Sequence, residues 1–512
     1  MLHPLPTPGE MAAWDAEAIG EFGIPGMVLM ENAAREAVRT LESEAGPLEG
    51  KTVYLFAGSG NNGGDAFAMA RYLVERAGTV ALFHTRPKKH YRGETRANLV
   101  LAQKLGIPLF HLATATLGSL PQPDIVVDGL LGTGFKGRLR ADILKLVRAI
   151  NRMGERSFVF SIDIPSGLNG HTGTPGPEAV RADATVTFQA AKTGLAMPGA
   201  EQWTGRLFVT DIGIPRAVRE ARQVRRFVIG QEVMKTIPRP VPDSHKGRAG
   251  HVLVVGGSPG MTGAPHLSAL GALRAGAGLV TVACPEGACA EVRFGRPEIM
   301  TLPLRDFEKW DQKSAEKVVS QLSRFDSVVL GPGWGQDGKN VDFLRHFIAK
   351  CPVPLVLDAD GLNALAQAPE LAGELPPGTV LTPHPGEMAR LAETDTASVQ
   401  QSRLETAESY VEKTRATLVL KGAGTLVADA AQTRLCPISA PCLSVGGSGD
   451  VLSGVIAALA ATGMDVMHAA SLGVYWHAAS GRMLEEDHPL RGNLAGEIAD
   501  MLPRAAKEYG IC

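Results

Sequence analysis

Short β-branched runs that break on glycine or aspartate and pass into stretches of helical period recur along most of this chain, and few folds accommodate that pattern. In the first part the runs are Thr52–Phe56, Thr79–Phe83, Ile125–Val127, Phe158–Ile162 and Ala184–Phe188. Helical spacing of apolar residues fills Ala66–Ala77, Ala97–Leu105 and Ile143–Met153 between them. Such alternation predicts an α/β domain, Rossmann-like and three-layered, with parallel strands and helices on both faces. Ahead of it, Met11–Glu44 reads as helix broken near Gly23–Gly26. A second α/β series begins at His251–Val255 and continues through Leu279–Ala283, Ser327–Leu330, Leu355–Leu357, Val380–Leu381 and Thr417–Leu420.

Between the two series, Pro215 to Pro242, the chain turns basic and proline-dotted, with Arg216, Arg219, Arg222, Arg225 and Arg226 ahead of Pro238, Pro240 and Pro242. A solvated helix and linker have that composition. At 512 residues the chain is long enough for two or three domains. The parse is a domain over 1–215, a linker over 216–238 and a second domain over 239–512. The two halves do not look like copies of one another.

Charge and composition narrow the partner. Lys plus Arg is 51 against 53 Asp plus Glu, without long single-sign runs, which leaves no basic stripe for nucleic acid or anionic lipid. Aromatics at 5% offer no stacking platform for single strands. Cys284, Cys289, Cys351, Cys436, Cys442 and Cys512 show no Cys-x-x-Cys spacing, against both a disulfide framework and a zinc site. Met1–Glu10 lacks a cationic start followed by an apolar stretch, and no apolar run approaches the roughly 20 residues of a bilayer span. A small-molecule partner and a reducing, cytoplasmic compartment are expected.

Chemistry concentrates just past the strands. Thr52–Phe56 runs into Ala57-Gly58-Ser59-Gly60-Asn61-Asn62-Gly63-Gly64-Asp65, ahead of a helix. Glycines there let backbone N–H groups approach a phosphate. The asparagines and aspartate suit an alkali cation or ribose hydroxyls. Asp128-Gly129-Leu130-Leu131-Gly132-Thr133-Gly134 and Asp163-Ile164-Pro165-Ser166-Gly167 each put an aspartate just past another apolar strand. A helix or loop cap explains any one of these aspartates; three at corresponding strand ends predict one pocket.

Those three motifs, followed by Lys192-Thr193-Gly194, resemble in order the NAD(P)H-hydrate epimerase family across almost all of 1–215. Ala66 stands where that family often has glycine. The resemblance implies that Asn62, Asp128 and Ser166 hold potassium. It implies that Asn61, Asn62, Gly63, Gly64 and Asp65, with Gly132, Thr133, Gly134, Phe135, Lys136, Gly137 and Arg138, and Asp163, contact the hydrated nicotinamide nucleotides NADHX and NADPHX. Losing and regaining water through an iminium-like species inverts the hydroxyl-bearing ring carbon. Asp163 can take and return the protons. Lys192 assists electrostatically or is an ordinary surface lysine.

In the second half, Pro441-Cys442-Leu443-Ser444-Val445-Gly446-Gly447-Ser448-Gly449-Asp450 precedes the apolar stretch Val451–Ala461. A row of backbone N–H groups at a helix start, backed by a carboxylate, can hold the charge of a transferring phosphoryl group while Asp450 takes a proton from the attacking hydroxyl. A glycine-rich helix cap is the bland alternative. Lys421-Gly422-Ala423-Gly424-Thr425 follows another strand and is placed to receive a nucleotide. Asp358, Asp360 and Glu387 follow two more, where magnesium-bound phosphates would explain the acids.

This ordered set resembles the ribokinase-like superfamily. Within it His245-Lys246-Gly247, Gly256-Gly257-Ser258, Thr262-Gly263-Ala264-Pro265, Gly276-Ala277-Gly278-Leu279-Val280, Gly331-Pro332-Gly333-Trp334-Gly335 and Thr382-Pro383-His384-Pro385-Gly386-Glu387 resemble the ADP- or ATP-dependent NAD(P)H-hydrate dehydratases, over roughly 240–500. Pro265 stands where that family commonly has a small residue. The resemblance implies that Ala264, Gly333, His384 and Asp450 contact the hydrate. Lys421, Gly422, Ala423, Gly424, Thr425 and Gly449 would hold the adenine nucleotide with its magnesium, and the chain would be a homo-oligomer. Together the halves imply a bifunctional repair enzyme that epimerises the hydrates and dehydrates the S form. A small-alcohol kinase with an N-terminal sensor domain and a non-enzymatic dinucleotide-binding module are the competing readings.

Overall fold

The computed structural model describes residues 2–112, 120–135, 137–239, 249–305, 309–335 and 337–509. Backbone contacts divide the chain into two units, Pro4–Arg226 and Met1–His3 with Phe227–Cys512. The segment read as linker is itself structured. Helix Arg216–Ala221 buries Val218 in the first unit, and strand Arg226–Ile229 leads into the second.

The first unit is built on a seven-stranded sheet. From edge to edge its strands are Leu109–His111, Thr79–His84, Thr52–Ala57, Ile125–Gly129, Phe158–Ile162, Ala184–Phe188 and Arg206–Thr210, all parallel. Alternate residues of a strand face opposite sides. Tyr54, Phe56, Val126 and Val159 pack against Ile143, Val147 and Ile150, the apolar stripe of helix Ala141–Met153. The chain leaves Thr52–Ala57 toward one edge and resumes on its other side at Ile125–Gly129. Loops at such a reversal part to leave a crevice at the carboxyl ends of the strands. There Gly58 N–H bonds the Gly129 carbonyl at 2.9 Å, and a Cβ on Gly58 would meet the Leu130 carbonyl oxygen at 1.8 Å.

The second unit has an eleven-stranded sheet. Its strands run Leu2–Pro4, Arg226–Ile229, Thr433–Leu435, Leu426–Ala428, Thr417–Leu420, Thr379–Leu381, Leu355–Leu357, Ser327–Leu330, His251–Val255, Leu279–Pro285 and Ile299–Leu304 from edge to edge. The block from Thr417–Leu420 to Ile299–Leu304 is parallel, and Leu426–Ala428 and Thr433–Leu435 extend it antiparallel. Val282, Val254, Val329, Val356 and Val380 stand in register across five strands and enter one core, as suits β-branched side chains on a pleated face. Helix Ser448–Ala460 is almost wholly buried in that core and crosses helix Gly263–Arg274 closely, since a Cβ on Gly454 would lie 1.9 Å from the Ser268 carbonyl oxygen.

The helices begin earlier than apolar period alone predicts, at Asn61 rather than Ala66 and at Ser448 rather than Val451, because polar and glycine residues form their first turns. Cys284, Cys289, Cys351, Cys436 and Cys442 are free thiols. Among the described residues no helix is long and apolar enough to cross a membrane.

Candidate active sites

In the first unit a cavity of about 860 Å³ opens at the carboxyl ends of the strands, where the sheet reverses. Asn61 and Asn62 reach it from the first turn of helix Asn61–Leu73, and Asp65 from just past that turn. Gly132, Thr133, Gly134, Phe135 and Arg138 line it from the loop after Ile125–Gly129, and Asp163 from the end of Phe158–Ile162. Asp163 sits at φ 63°, a left-handed conformation costly for a residue with a Cβ. Its Oδ1 accepts from Lys192 Nζ at 2.6 Å and Thr187 Oγ1 at 3.2 Å. Lys192 is only 2% exposed and also donates to Thr187 Oγ1 at 2.8 Å and the Phe188 carbonyl at 3.1 Å, so it is no surface lysine.

Asp128 lies behind this cavity, fully buried. Its carboxylate accepts from Ser166 Oγ at 2.6 Å, Ser166 N at 2.7 Å, Ser161 Oγ at 3.1 Å and Leu130 N at 3.2 Å. Burial raises its pKa, and these donors pull the other way. Asn62 Nδ2 donates to the Leu131 carbonyl at 2.6 Å, and Ser166 Oγ accepts from Leu131 N at 2.9 Å. Asn62 Oδ1 is buried without a hydrogen-bond partner. An orphaned amide oxygen beside a hydroxyl and a carboxylate suits a hard cation of low charge.

In the second unit a cavity of about 470 Å³ is lined by Lys421, Gly422, Ala423 and Thr425, by Gly447, Ser448, Gly449 and Asp450, and by Asp358, His384, Glu387 and His477. Lys421 Nζ meets Asp358 Oδ1 at 2.9 Å and Glu387 Oε2 at 3.9 Å. Burial opposes the Lys421 charge, yet Asp358, Glu387 and Asp450 outweigh it and raise the pKa. Asp450 is pushed up to about 8, by burial first and then by Asp358, with Lys421 opposing. Glu387 is pushed up to about 7, again chiefly by burial. Ser453 Oγ bonds Asp358 Oδ2 and, at 2.9 Å, the Gly449 carbonyl, which ties the acid cluster to the glycine turn. His384 caps helix Pro385–Leu391, its Nδ1 accepting from Gly386 N at 3.0 Å.

Comparison with known proteins gives these cavities a context. A family model described as NAD(P)H-hydrate dehydratase matches residues 252–504, and one described as YjeF-related protein N-terminus matches 26–194. The bifunctional NAD(P)H-hydrate repair enzyme Nnr of Moorella thermoacetica is 39% identical over 511 residues, covering 98% of this chain and 96% of its own. The chain belongs to the bifunctional NAD(P)H-hydrate repair enzyme family. The Nnr protein of Salinibacter ruber is 34% identical over 526 residues, 99% of this chain and 96% of its own. A ribokinase-like superfamily protein from Enterococcus faecalis V583 superposes with a TM-score of 0.50 at 24% identity, over 56% of this chain and 96% of its own. The repair-enzyme family thus appears here with a Rossmann-like unit followed by a ribokinase-like one.

Within this member of the repair-enzyme family, not every residue picked out by sequence lines a cavity. Gly63, Gly64 and Gly137 do not line the first site, and Asp128 and Ser166 stand behind it. Lys136 lies outside the described residues, as do His245, Lys246 and Gly247. In the second unit Gly424 sits behind its loop. Ala264 and Gly333 lie at the other sheet reversal, where Gly333 approaches Met261 and Pro265 and its carbonyl accepts from Ser258 Oγ at 2.9 Å.

Several groups escaped the sequence reading. Asp15 lines the first cavity from helix Pro8–Gly20, with Met11 and Ile19 one helical turn to either side; a lone acid in an apolar stripe was the available signal. Arg403 is buried beneath the Lys421–Thr425 loop and donates to the carbonyls of Leu420 at 3.0 Å, Lys421 at 3.2 Å and Gly424 at 3.4 Å. His477, held near a pKa of about 4 chiefly by burial, stands 3.3 Å from Ser448 Oγ.

Proposed function

We propose that this chain repairs hydrated NADH and NADPH. Residues 1–215 interconvert the R and S hydrates, and residues 239–512 dehydrate the S form with ADP or ATP. The observation that carries the reading is the shared cavity of the second unit. There Asp450, in the first turn behind Gly446–Gly449, faces the Lys421–Thr425 loop across a cluster of acids and one ammonium.

Hydroxide leaves a carbon reluctantly, whereas phosphate leaves readily. Asp450 removes the proton from the hydrate's hydroxyl as that oxygen attacks the terminal phosphorus of the nucleotide. Backbone N–H groups of the Gly446–Gly449 turn stabilise the charge on the transferring group. Electrons from the adjacent ring nitrogen then expel phosphate, and loss of a proton from the neighbouring carbon restores the dihydropyridine. Asp358 and Glu387, which line the same cavity, would hold the nucleotide's magnesium, whose charge would offset that of the phosphates.

In the first unit Asp163, anchored by Lys192 and Thr187, handles a proton as the hydroxyl is exchanged. Asn62, Asp128 and Ser166 would hold potassium, for which the unpartnered Asn62 oxygen leaves a place. Bound there, the ion would supply fixed positive charge behind the substrate.

The test is incubation of the purified chain with mixed hydrates, magnesium and ADP or ATP, following absorbance of the reduced nicotinamide and released phosphate. Both epimers should return as NAD(P)H with one phosphate each. A stable phosphorylated hydrate, or no recovery, would overturn the reading.

A further inference from the structure

The first cavity holds more proton-carrying groups than Asp163 alone. Lys192 is saturated, its three hydrogens engaged by Asp163 Oδ1, Thr187 Oγ1 and the Phe188 carbonyl. Asp163 has one oxygen committed to Lys192 and Thr187, while Oδ2 faces Gly132, whose Cβ, if present, would lie 3.8 Å away. Asp65 is enclosed just past the first turn of its helix. Asp15 approaches from a different element, helix Pro8–Gly20, and is only part-buried; among the described residues nothing hydrogen-bonds its carboxyl. The unpartnered Asn62 oxygen, on a side chain buried to all but 6%, marks the same cavity as built for a ligand.

Inverting a carbon that carries a hydroxyl beside nitrogen requires two proton transfers on opposite faces of the ring. The departing oxygen must gain a proton, and the incoming water must lose one. A single carboxyl cannot serve both faces, as the paired carboxyls that flank a scissile bond in glycosidases illustrate. We infer that Asp15 is the second catalytic carboxyl of this cavity, acting on the ring face opposite Asp163, an assignment that rests on the epimerase reading.

In one direction the Asp15 carboxylic acid gives its proton to the ring hydroxyl. The C–O bond breaks as the nitrogen lone pair forms a C=N⁺ bond, and water leaves. Water then adds from the other face; its oxygen supplies the pair for the new C–O bond, the C=N⁺ pair returns to nitrogen, and the proton passes to Asp163. Each turnover moves one proton from Asp15 to Asp163, and exchange with solvent resets the pair. The other epimer runs the same steps with the roles exchanged.

The setting suits Asp15 to this work. Burial, opposed by Lys192 and assisted by Asp163, raises its pKa to about 6, within reach of neutral pH for a group that must both give and take a proton. The groups that face it are Lys192, Asp163 and Asp65. Arg86, Glu94, Arg138 and Arg140 line the same cavity.

The experiment uses the full chain with Asp15→Asn and Asp15→Glu. Conversion of pure R hydrate to S is followed by chromatography without nucleotide, so that dehydration is idle. Dehydration of pure S hydrate with nucleotide is measured separately. Asp15→Asn should lower the epimerisation kcat by about 100-fold or more with KM little changed, and leave S dehydration at the wild-type rate. Asp15→Glu should recover part of the rate with a displaced pH profile, which a purely structural role would not produce.

Epimerisation by Asp15→Asn within about threefold of wild type overturns the assignment. If Asp15→Asn loses its melting transition, Asp15→Glu decides: a folded glutamate variant with no recovered rate also overturns it. A wild-type chain that dehydrates S but never converts R refutes the epimerase reading itself, and the role of Asp15 falls with it.

Discussion

Replacing Lys192 by methionine keeps most of the side-chain length and removes only the ammonium. In the native cavity that ammonium is 2% exposed and spans Asp163 Oδ1, Thr187 Oγ1 and the Phe188 carbonyl at 2.6, 2.8 and 3.1 Å. The variant leaves a carboxylate that is itself only 14% exposed without its countercharge, and a buried carbonyl without its donor. Removing one partner of a buried pair costs about 3–5 kcal/mol. For a unit of this size each kcal/mol moves the midpoint by about 2–4 °C, so the N-terminal transition should fall by about 6–20 °C at neutral to mildly alkaline pH.

The pH dependence gives this prediction its second edge. Asp15 rises from an ordinary value of 3.8 to about 6 in the folded protein, which therefore binds that proton more tightly than the unfolded chain. Stability from this group falls as pH rises through that window and is level above it. Lys192 lowers the pKa of both Asp15 and Asp65; without it both move higher, and the decline continues past about pH 6. Calorimetric melting of wild type and Lys192→Met from about pH 5 to about pH 9 should show a gap that widens toward alkaline pH. A gap under about 2 °C, or one that widens toward acid, would refute the reasoning.

Other perturbations test other parts of the molecule. Asp450→Asn should abolish dehydration and spare epimerisation. Because burial pushes Asp450 up to about 8 and a base must first lose its proton, wild-type kcat/KM for dehydration should climb as pH approaches about 8; a flat profile there argues against Asp450 as the base. Asn62→Leu should raise the potassium concentration needed for half-maximal epimerisation by about tenfold or more, a 1.4 kcal/mol effect, read from a potassium titration. Arg403→Ala removes the Nη2 donor shared by the three loop carbonyls and should raise the nucleotide KM with little change in kcat, measured in steady-state dehydration assays. Gly58→Ala forces a methyl to 1.8 Å from a carbonyl oxygen and should destabilise the first unit by roughly 3 kcal/mol or more, seen as loss of its melting transition.

Strand-end motifs were legible because their residue types announce themselves. Asp128, Asp163, Lys421 and Asp450 each follow an apolar strand or a glycine turn, and topology gathers such positions at one end of a sheet. Asp15 carries no such label: it sits on a helix outside the alternating pattern, and only the packing of that helix brings it to the cavity. Lys192 read as surface or site with equal ease, since a lone lysine shows nothing of Asp163 and Thr187 waiting for it. Arg403 acts through loop carbonyls, which no side-chain motif records. Leu2–Pro4 and Leu426–Ala428 are three-residue strands outside the strand–helix alternation, so one end of the second sheet was invisible where its valine-rich centre was plain.

Leu2–Pro4 forms the far edge of a sheet whose next strand, Arg226–Ile229, arrives more than two hundred residues later. This strand must therefore wait, without its sheet neighbour, until the whole intervening body has been synthesised. Neither half of the gene encodes a finished piece. A C-terminal fragment begun at Phe227 would lack its border strand, and restoring that strand in trans as a short peptide would gauge how much the closing stitch contributes.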